Sequence, residues 1–392
     1  MQTASLKVAK QASPLEELLN LPLRSNNPYI QEWKAKGNKV IGYVCSYTPE
    51  ELIYAIPGVG GTRIMPVRIG GVGCTHTEEA DTLMYRYICT FTRSTLQLAL
   101  DGEYNYLDGV VFNSCCEHMR RSYEFWRDLV RPKIITMVSV PRTCHSETEF
   151  RWYHEECINM MEEIGKVWGL NPLPDQLLNA VKTYNRYRQL MMEVYRLRAL
   201  KKPKLTGSEA FKIMQAGFNL PKDLFNEKLE MALEELKARP GITDYRARVL
   251  LAGSYTDDPS LVDTIESTGA LVVSDSLCTG RKFVDNLVDE SSSDLVEAVA
   301  RRYFSRITCP RMMEDPEERI NFVKKLAKEA EVDGIIFQHI TFCDIHNIEN
   351  IIESEAIARA GIPTLKLERE YNAADTGRLK TRVQAFLEKI GK

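Results

Sequence analysis

The chain has 392 residues, of which 44% are hydrophobic and 27% charged, and its formal net charge is −3. At roughly 150 residues per domain, this length predicts two or three domains, and the near balance of charge excludes the strong field typical of nucleic-acid and membrane-surface binding. No apolar run approaches the roughly 18 residues of a membrane-spanning helix. The N-terminal residues lack the apolar segment of a secretory signal. We therefore expect a cytoplasmic protein whose partners include neither nucleic acid nor membrane.

Short apolar runs alternate with amphipathic stretches in the first and last thirds of the chain. Runs rich in Val, Ile and Leu are typical of strands buried on both faces of a parallel sheet. Strands are predicted, in chain order, at 39–45, 64–69, 109–112, 134–140, 248–252, 270–273, 334–337 and 364–368. Helical patterns separate them, for example at 94–100, 315–330 and 374–390. This alternation predicts βαβ units.

A long polar segment at about 147–239 carries few strand signals. Its stretch QLLNAVKTYNRYRQLMMEVYRLRAL has apolar residues at helical spacing and a basic opposite face, which predicts helices. We interpret its Tyr and Met side chains as core. The predicted organisation is a first α/β domain with N-terminal helices at 1–145, a helical connector at 146–240 and a second α/β domain at 241–392.

Two sequence pairs recur in the same order in the two α/β regions. KVIGYVCSYT at 39–48 resembles RVLLAGSYT at 248–256, and DGVVFN at 108–113 resembles DGIIFQ at 333–338. Two such pairs in order indicate an internal duplication. The predicted fold is therefore α/β, with two similar doubly wound domains of the Rossmann-like or flavodoxin-like kind facing one another.

The chain has ten cysteines and no C-x-x-C motif, so zinc-ribbon and thioredoxin sites are not supported. Disulfides are not expected in a cytoplasmic chain. Cys45 and Cys157 fall inside strand and helix patterns and are interpreted as core, and Cys144 as a bystander. The other cysteines fall in probable loops or beyond strand ends, where ligands bind in open α/β sheets. Each of these taken alone could be a buried structural thiol, but their common placement makes them candidate ligands: Cys74, Cys89, Cys116, Cys278, Cys309 and Cys343, with Cys115 possible in place of Cys116.

Thiolates gathered from two domains suit either zinc or an iron–sulfur cluster, and composition does not separate the two. Four arginines lie near these cysteines in sequence and could moderate the charge of a cluster. They are Arg93, Arg120, Arg121 and Arg281.

The segments YICTFTRSTLQL, LDGVVFNSCCEHMRR and DGIIFQHITFCD resemble the 2-hydroxyacyl-CoA dehydratase and benzoyl-CoA reductase superfamily. The resemblance covers most of the chain from about residue 39. It implies that Cys89, Cys116 and Cys343 hold a [4Fe–4S] cluster with one open iron.

Three further segments, around Cys74, Cys278 and Cys309, resemble the double-cubane branch of that superfamily, as does the tail from LEREYNAADTGRLK onward. The resemblance to this branch implies two cubanes joined by a bridging sulfide, [8Fe–9S], held by all six cysteines. The doublet at Cys115 and Cys116 leaves the choice of ligand open between them.

No phosphate-binding loop and no dinucleotide fingerprint is present in the sequence. The resemblance implies that a separate ATP-hydrolysing iron–sulfur activator docks transiently and delivers electrons. It also implies a homodimer, or a heterodimer with a like-folded subunit. His118 and His339 lie near predicted ligands and titrate near neutrality, which makes them candidate proton donors.

The predicted function is an oxygen-sensitive reductase that acts on a small substrate at a double-cubane cluster. The alternative is a subunit of a 2-hydroxyacyl-CoA dehydratase or benzoyl-CoA reductase with one [4Fe–4S] cluster. A third possibility is a non-catalytic iron–sulfur or zinc scaffold. The sequence does not identify the substrate.

Overall fold

A computed structural model describes residues 12–24, 26–168, 172–306, 308–371 and 376–392. Most of the N-terminal segment, which lacks the pattern of a secretory signal, lies outside these ranges. The first two residues of the helix predicted at 374–390 do so as well.

Two four-stranded parallel sheets form the centre of the molecule. The strands of the first sheet have the order β2-β1-β3-β4 and those of the second the order β6-β5-β7-β8, so each half of the chain repeats the same topology. This arrangement confirms the predicted α/β class with two doubly wound domains. The strands are β1 Lys39–Tyr43, β2 Ile64–Arg68, β3 Gly109–Asn113, β4 Ile135–Val138, β5 Ala247–Gly253, β6 Ala270–Ser276, β7 Gly334–Ile340 and β8 Thr364–Arg369.

Helices surround both sheets, which explains the continuous apolar runs of the central strands. Every residue of β3, β5 and β6 is buried, as expected where helices cover both faces of a parallel sheet. The helices are α1 Pro14–Leu19, α2 Pro28–Ala35, α3 Glu50–Tyr54, α4 Glu78–Leu83, α5 Thr90–Leu100, α6 Glu117–Phe125, α7 Glu147–Trp168, α8 Pro174–Ala199, α9 Gly207–Asn219, α10 Lys222–Ala238, α11 Ser260–Glu266, α12 Arg281–Val284, α13 Leu295–Phe304, α14 Pro316–Glu329, α15 Asp344–Arg359 and α16 Thr376–Lys389.

The same contacts recur at corresponding points of the two sheets, as expected for an internal duplication. Asp108 precedes β3, and its Oδ2 accepts the N–H of Val40 at 2.8 Å. Asp333 precedes β7, and its Oδ2 accepts the N–H of Arg248 at 2.8 Å. Each carboxylate therefore joins the start of the third strand of its sheet to the first.

In the part of the segment between the sheets that the structure describes, the chain forms four helices, α7 to α10, as its periodicity predicts. Tyr184, Tyr187 and Met191 of α8 are almost fully buried, so the Tyr and Met side chains are core. Helix α7 packs against β4, whereas α8 and α9 pack against β6. These helices therefore contact both sheets. Within the described residues, no helix is both long and apolar enough to cross a membrane.

Two buried ion pairs join α8 to the two α/β halves. Arg188 Nη2 bonds to Glu51 of α3, and both side chains are fully buried. Arg198 Nη1 lies 2.8 Å from Asp275 of β6. Tyr303 of α13 donates its hydroxyl to the other oxygen of Glu51 at 2.8 Å. One helix thus fixes elements of both halves through its own two arginines.

Arg188→Met is expected to lower the free energy of unfolding by about 3–5 kcal/mol, because Glu51 would remain buried without its cation. Arg186→Met is the matched control. Arg186 lies on the same helix and pairs with Glu230 at 2.6 Å, but both side chains are about half exposed, so its loss should cost at most about 1 kcal/mol. Urea unfolding followed by circular dichroism measures both, and equal midpoints would contradict this role of Arg188.

Candidate functional site

A cavity of about 300 Å³ lies where the carboxyl ends of the two sheets meet. Its lining includes the residues that follow β1, β3, β5 and β6, the last residue of β2 and the last residue of β7. Carboxyl ends of parallel strands are the usual place for ligands in this fold class. Both halves of the chain build the cavity, so it is the candidate site.

Seven of the ten cysteines line this cavity: Cys45, Cys89, Cys115, Cys116, Cys278, Cys309 and Cys343. Five of the six predicted ligands are therefore brought together. Cys74 is not part of the lining, and its thiol instead donates to the carbonyl of His76 at 2.9 Å. Cys157 is fully buried in α7, as expected of a core residue.

Cys45 was expected to be a core residue but lines the cavity instead. Strand β1 ends at Tyr43, two residues before the end of the predicted strand, so Cys45 lies in the following loop. The internal repeat in the sequence indicates that Cys45 lies at a strand end. CSYT at 45–48 corresponds to GSYT at 253–256, where β5 ends at Gly253.

Cys89, Cys116 and Cys343 form the first thiol group, and each immediately precedes a helix. They are the N-cap residues of α5, α6 and α15. Backbone N–H groups and the helix dipole favour negative charge at such positions. Burial, with a smaller contribution from the neighbouring Cys116, raises the pKa of Cys89 to about 11. Cys89 and Cys116 likewise add to the rise that burial causes in the pKa of Cys343.

Cys45, Cys278 and Cys309 form the second thiol group. Burial raises the pKa of Cys309 to about 11, with smaller contributions from Cys45 and Cys278. The pKa of Cys278 is also raised by burial, and Cys45 adds to the effect. The three sulfurs therefore lie within electrostatic reach of one another.

Cys115 lies between the two groups. Hydrogen-bonding interaction with the Cys115 thiol, which both neighbours share, lowers the pKa of Cys45 to about 6 and also lowers the pKa of Cys116. The pKa of Cys115 itself is raised well above its usual value, chiefly by these hydrogen bonds. The proton of Cys115 is therefore held more tightly than those of its two neighbours.

Buried cations flank the second group. Arg68 Nη2 lies 3.7 Å from the sulfur of Cys278. Arg311 donates to the carbonyls of Pro141 and Val140, each at 2.7 Å, and so fastens the loop of Cys309 to the end of the first sheet. Sequence reasoning missed both arginines, although Arg68 is the last residue but one of the strand predicted at 64–69.

The arginines selected by their sequence proximity to cysteines have other partners. Arg93 pairs with Asp81 at 2.7 Å. Arg120 and Arg121 pair with glutamates on the exposed face of α6. Arg281 lies 3.6 Å from Asp285 and 3.5 Å from Glu329. Proximity in sequence therefore did not identify the cations of this cavity.

The two predicted proton donors differ in position. His118 lines the cavity, and its Nδ1 accepts the backbone N–H of Cys89 at 3.3 Å. Burial lowers the pKa of His118, so the ring is neutral at neutral pH. His339 belongs to β7 and is not among the lining residues. His346, on α15, does line the cavity, and burial lowers its pKa to about 3.

Within the described ranges, no three His, Cys, Asp or Glu side chains converge closely enough to hold a single metal ion. A tetrahedral zinc site brings three or four such donors around one point. The ligands of an iron–sulfur cubane instead bind different irons and need no common point. A cavity lined by seven thiols, with a buried arginine at one of them, fits an anionic group with several thiolate ligands.

Comparison with known proteins gives one family and several relatives of similar length. Residues 45–390 match the model described as 2-hydroxyglutaryl-CoA dehydratase, D-component. The chain is 24% identical to a subunit of benzoyl-CoA reductase from Thauera aromatica, over 92% of this chain and 93% of that protein. It is 24% identical to the (R)-phenyllactyl-CoA dehydratase beta subunit of Clostridium sporogenes, over 92% and 94%.

A third relative is the beta subunit of (R)-2-hydroxyglutaryl-CoA dehydratase of Acidaminococcus fermentans, which is 25% identical over 92% of this chain and 95% of that protein. All three relatives are named as subunits of dehydratases or of a reductase. Because the family model spans most of the chain, including all seven cavity cysteines, the superfamily resemblance is confirmed. The chain belongs to the 2-hydroxyglutaryl-CoA dehydratase D-component family.

Proposed function

We propose that this chain is an oxygen-sensitive iron–sulfur reductase that holds a double-cubane [8Fe–9S] cluster in the cavity between its two halves. The observation that carries the proposal is the convergence of seven cysteine thiols on one cavity that both halves of the chain build. Seven thiols exceed what one cubane needs. When bound, such a cluster supplies electrons at low potential to a small substrate.

Each thiol group would hold one cubane. Cys89, Cys116 and Cys343 would hold the first, and the N-termini of three helices favour their thiolate forms. Cys278 and Cys309 would hold the second. We propose Cys45 as the third ligand of this second cubane, because it lines the cavity beside both, whereas Cys74 lies outside the lining.

His118 is positioned to donate a hydrogen bond to a group bound at this site. Its Nδ1 already accepts a backbone hydrogen bond from Cys89, so the neutral ring carries its proton on Nε2. Burial keeps it neutral, and it therefore donates a hydrogen bond without adding charge to the cavity. Since His339 is absent from the lining, we prefer His118 to His339 as the side chain that acts on a bound group, through this hydrogen bond.

Electrons would come from a transient ATP-hydrolysing iron–sulfur activator. The absence of a phosphate-binding loop from the sequence supports a separate source. The chain would work as a homodimer or together with a like-folded subunit, which the names of the relatives as subunits support.

A second candidate function is a subunit of a 2-hydroxyacyl-CoA dehydratase or benzoyl-CoA reductase with one [4Fe–4S] cluster on Cys89, Cys116 and Cys343. The names of the relatives favour it. The second thiol group would then be packing residues, and a CoA thioester would be the substrate.

Cys45→Ala is expected to remove up to half of the iron that the wild-type chain binds when purified without oxygen, because the second cubane loses a thiolate. Cys74→Ala is the matched control and should keep all of it. Iron per chain, measured by mass spectrometry, separates the variants. Loss of half the iron in Cys74→Ala but none in Cys45→Ala would reinstate Cys74 as the ligand.

The purified chain alone is expected to release no phosphate from ATP, because it has no loop that binds the phosphates. A phosphate-release assay on anaerobic protein measures this. ATP hydrolysis by the chain that persists through a further purification step would contradict the need for a separate activator.

A further inference from the structure

Arg68, the last residue of β2, is held rigidly beside the cavity. Its side chain is buried, with 6% of the residue exposed. Its guanidinium lies over the rings of Tyr43, Phe218 and Tyr255, at 5.8, 5.4 and 5.3 Å from their centres. These rings come from β1, α9 and the loop after β5. Three separate elements thus fix this cation at the cavity wall.

Arg68 differs from the other buried arginines of the described residues in its partners. Among the described residues, the only hydrogen-bond acceptor of Arg68 is the sulfur of Cys278, which lies 3.7 Å from Nη2. Its Nε and Nη1 are buried without a hydrogen-bond partner. The other buried arginines have carboxylate or backbone carbonyl partners: Arg188, Arg198, Arg248, Arg281, Arg302, Arg306, Arg311, Arg319 and Arg369.

A buried cation without a counter-charge is strongly unfavourable. The second thiol group supplies that counter-charge when its sulfurs are ionised, and more so when they hold an anionic cluster. Arginine keeps its charge under all ordinary conditions, so the cation stays in place as the charge of the cavity changes.

We propose that Arg68 is the buried counter-charge of the cubane held by Cys278 and that it raises the reduction potential of that cubane. The inference rests on the proposed function. On reduction, one electron passes from the reductant to the cluster, no bond of the protein breaks, and the negative charge beside Arg68 rises by one. Hydrogen bonds and cations near ligand sulfurs favour the more negative state.

The test is a redox titration of anaerobic protein, followed by electron paramagnetic resonance. Titanium(III) citrate is the reductant and becomes titanium(IV). Arg68→Met should shift one of the two redox couples to a more negative potential. At a fixed potential, the ratio of reduced to oxidised cluster for that couple should fall at least tenfold, which is equivalent to a shift of about 59 mV for one electron. Arg120→Met, which removes an exposed cation near Cys116, should leave both couples unchanged.

Arg68→Lys keeps the charge but loses the planar donors and should shift the same couple by less. It also serves as the test if Arg68→Met does not fold. Wild-type potentials in an iron-loaded Arg68 variant would overturn the inference. Iron near four per wild-type chain would instead contradict the double cubane itself, independently of Arg68.

Discussion

Parallel strand pairing directs the carboxyl end of every strand to the same edge of its sheet, and the candidate site depends on this constraint. The loops after β1, β3, β6 and β7 carry Cys45, Cys116, Cys278 and Cys343. Because the two sheets share one topology and face one cavity, cysteines from opposite ends of the chain meet without any local cysteine motif.

The relative position of the two sheets determines whether the two thiol groups face one another. Helix α8 connects both halves through Arg188 on Glu51 and Arg198 on Asp275. Arg311 adds a second connection, from the loop of Cys309 to the carbonyls at the end of the first sheet. The segment predicted as a connector therefore also acts as a brace for the cavity, and damage to it should affect the site from a distance.

Burying several thiols together is electrostatically costly, as the raised pKa values of Cys89 and Cys309 show. The cavity offsets this cost differently on its two sides. The first group relies on helix N-termini, whose dipoles favour thiolates. The second group relies on full charges, above all Arg68. This asymmetry would give the two halves of a cluster different electrostatic surroundings.

The strands, the parallel sheets, the helical segment and five of the seven cavity cysteines could all be predicted from the sequence. Hydrophobic periodicity determines those elements, and strand ends determine where ligands bind. Cys45 was misplaced because its apolar neighbours extend the strand pattern two residues beyond the true end of β1. Cys74 and His339 lie near predicted site residues in the chain but outside the lining. Their positions depend on loop paths and side-chain directions, which local patterns do not encode.

The central claim is that two thiol groups in one cavity hold a double cubane. Iron and acid-labile sulfide per chain, measured on protein purified without oxygen, test it most directly. The account predicts a brown protein that bleaches in air, with about eight irons and nine sulfides per chain. Colourless anaerobic protein with stoichiometric zinc would contradict it.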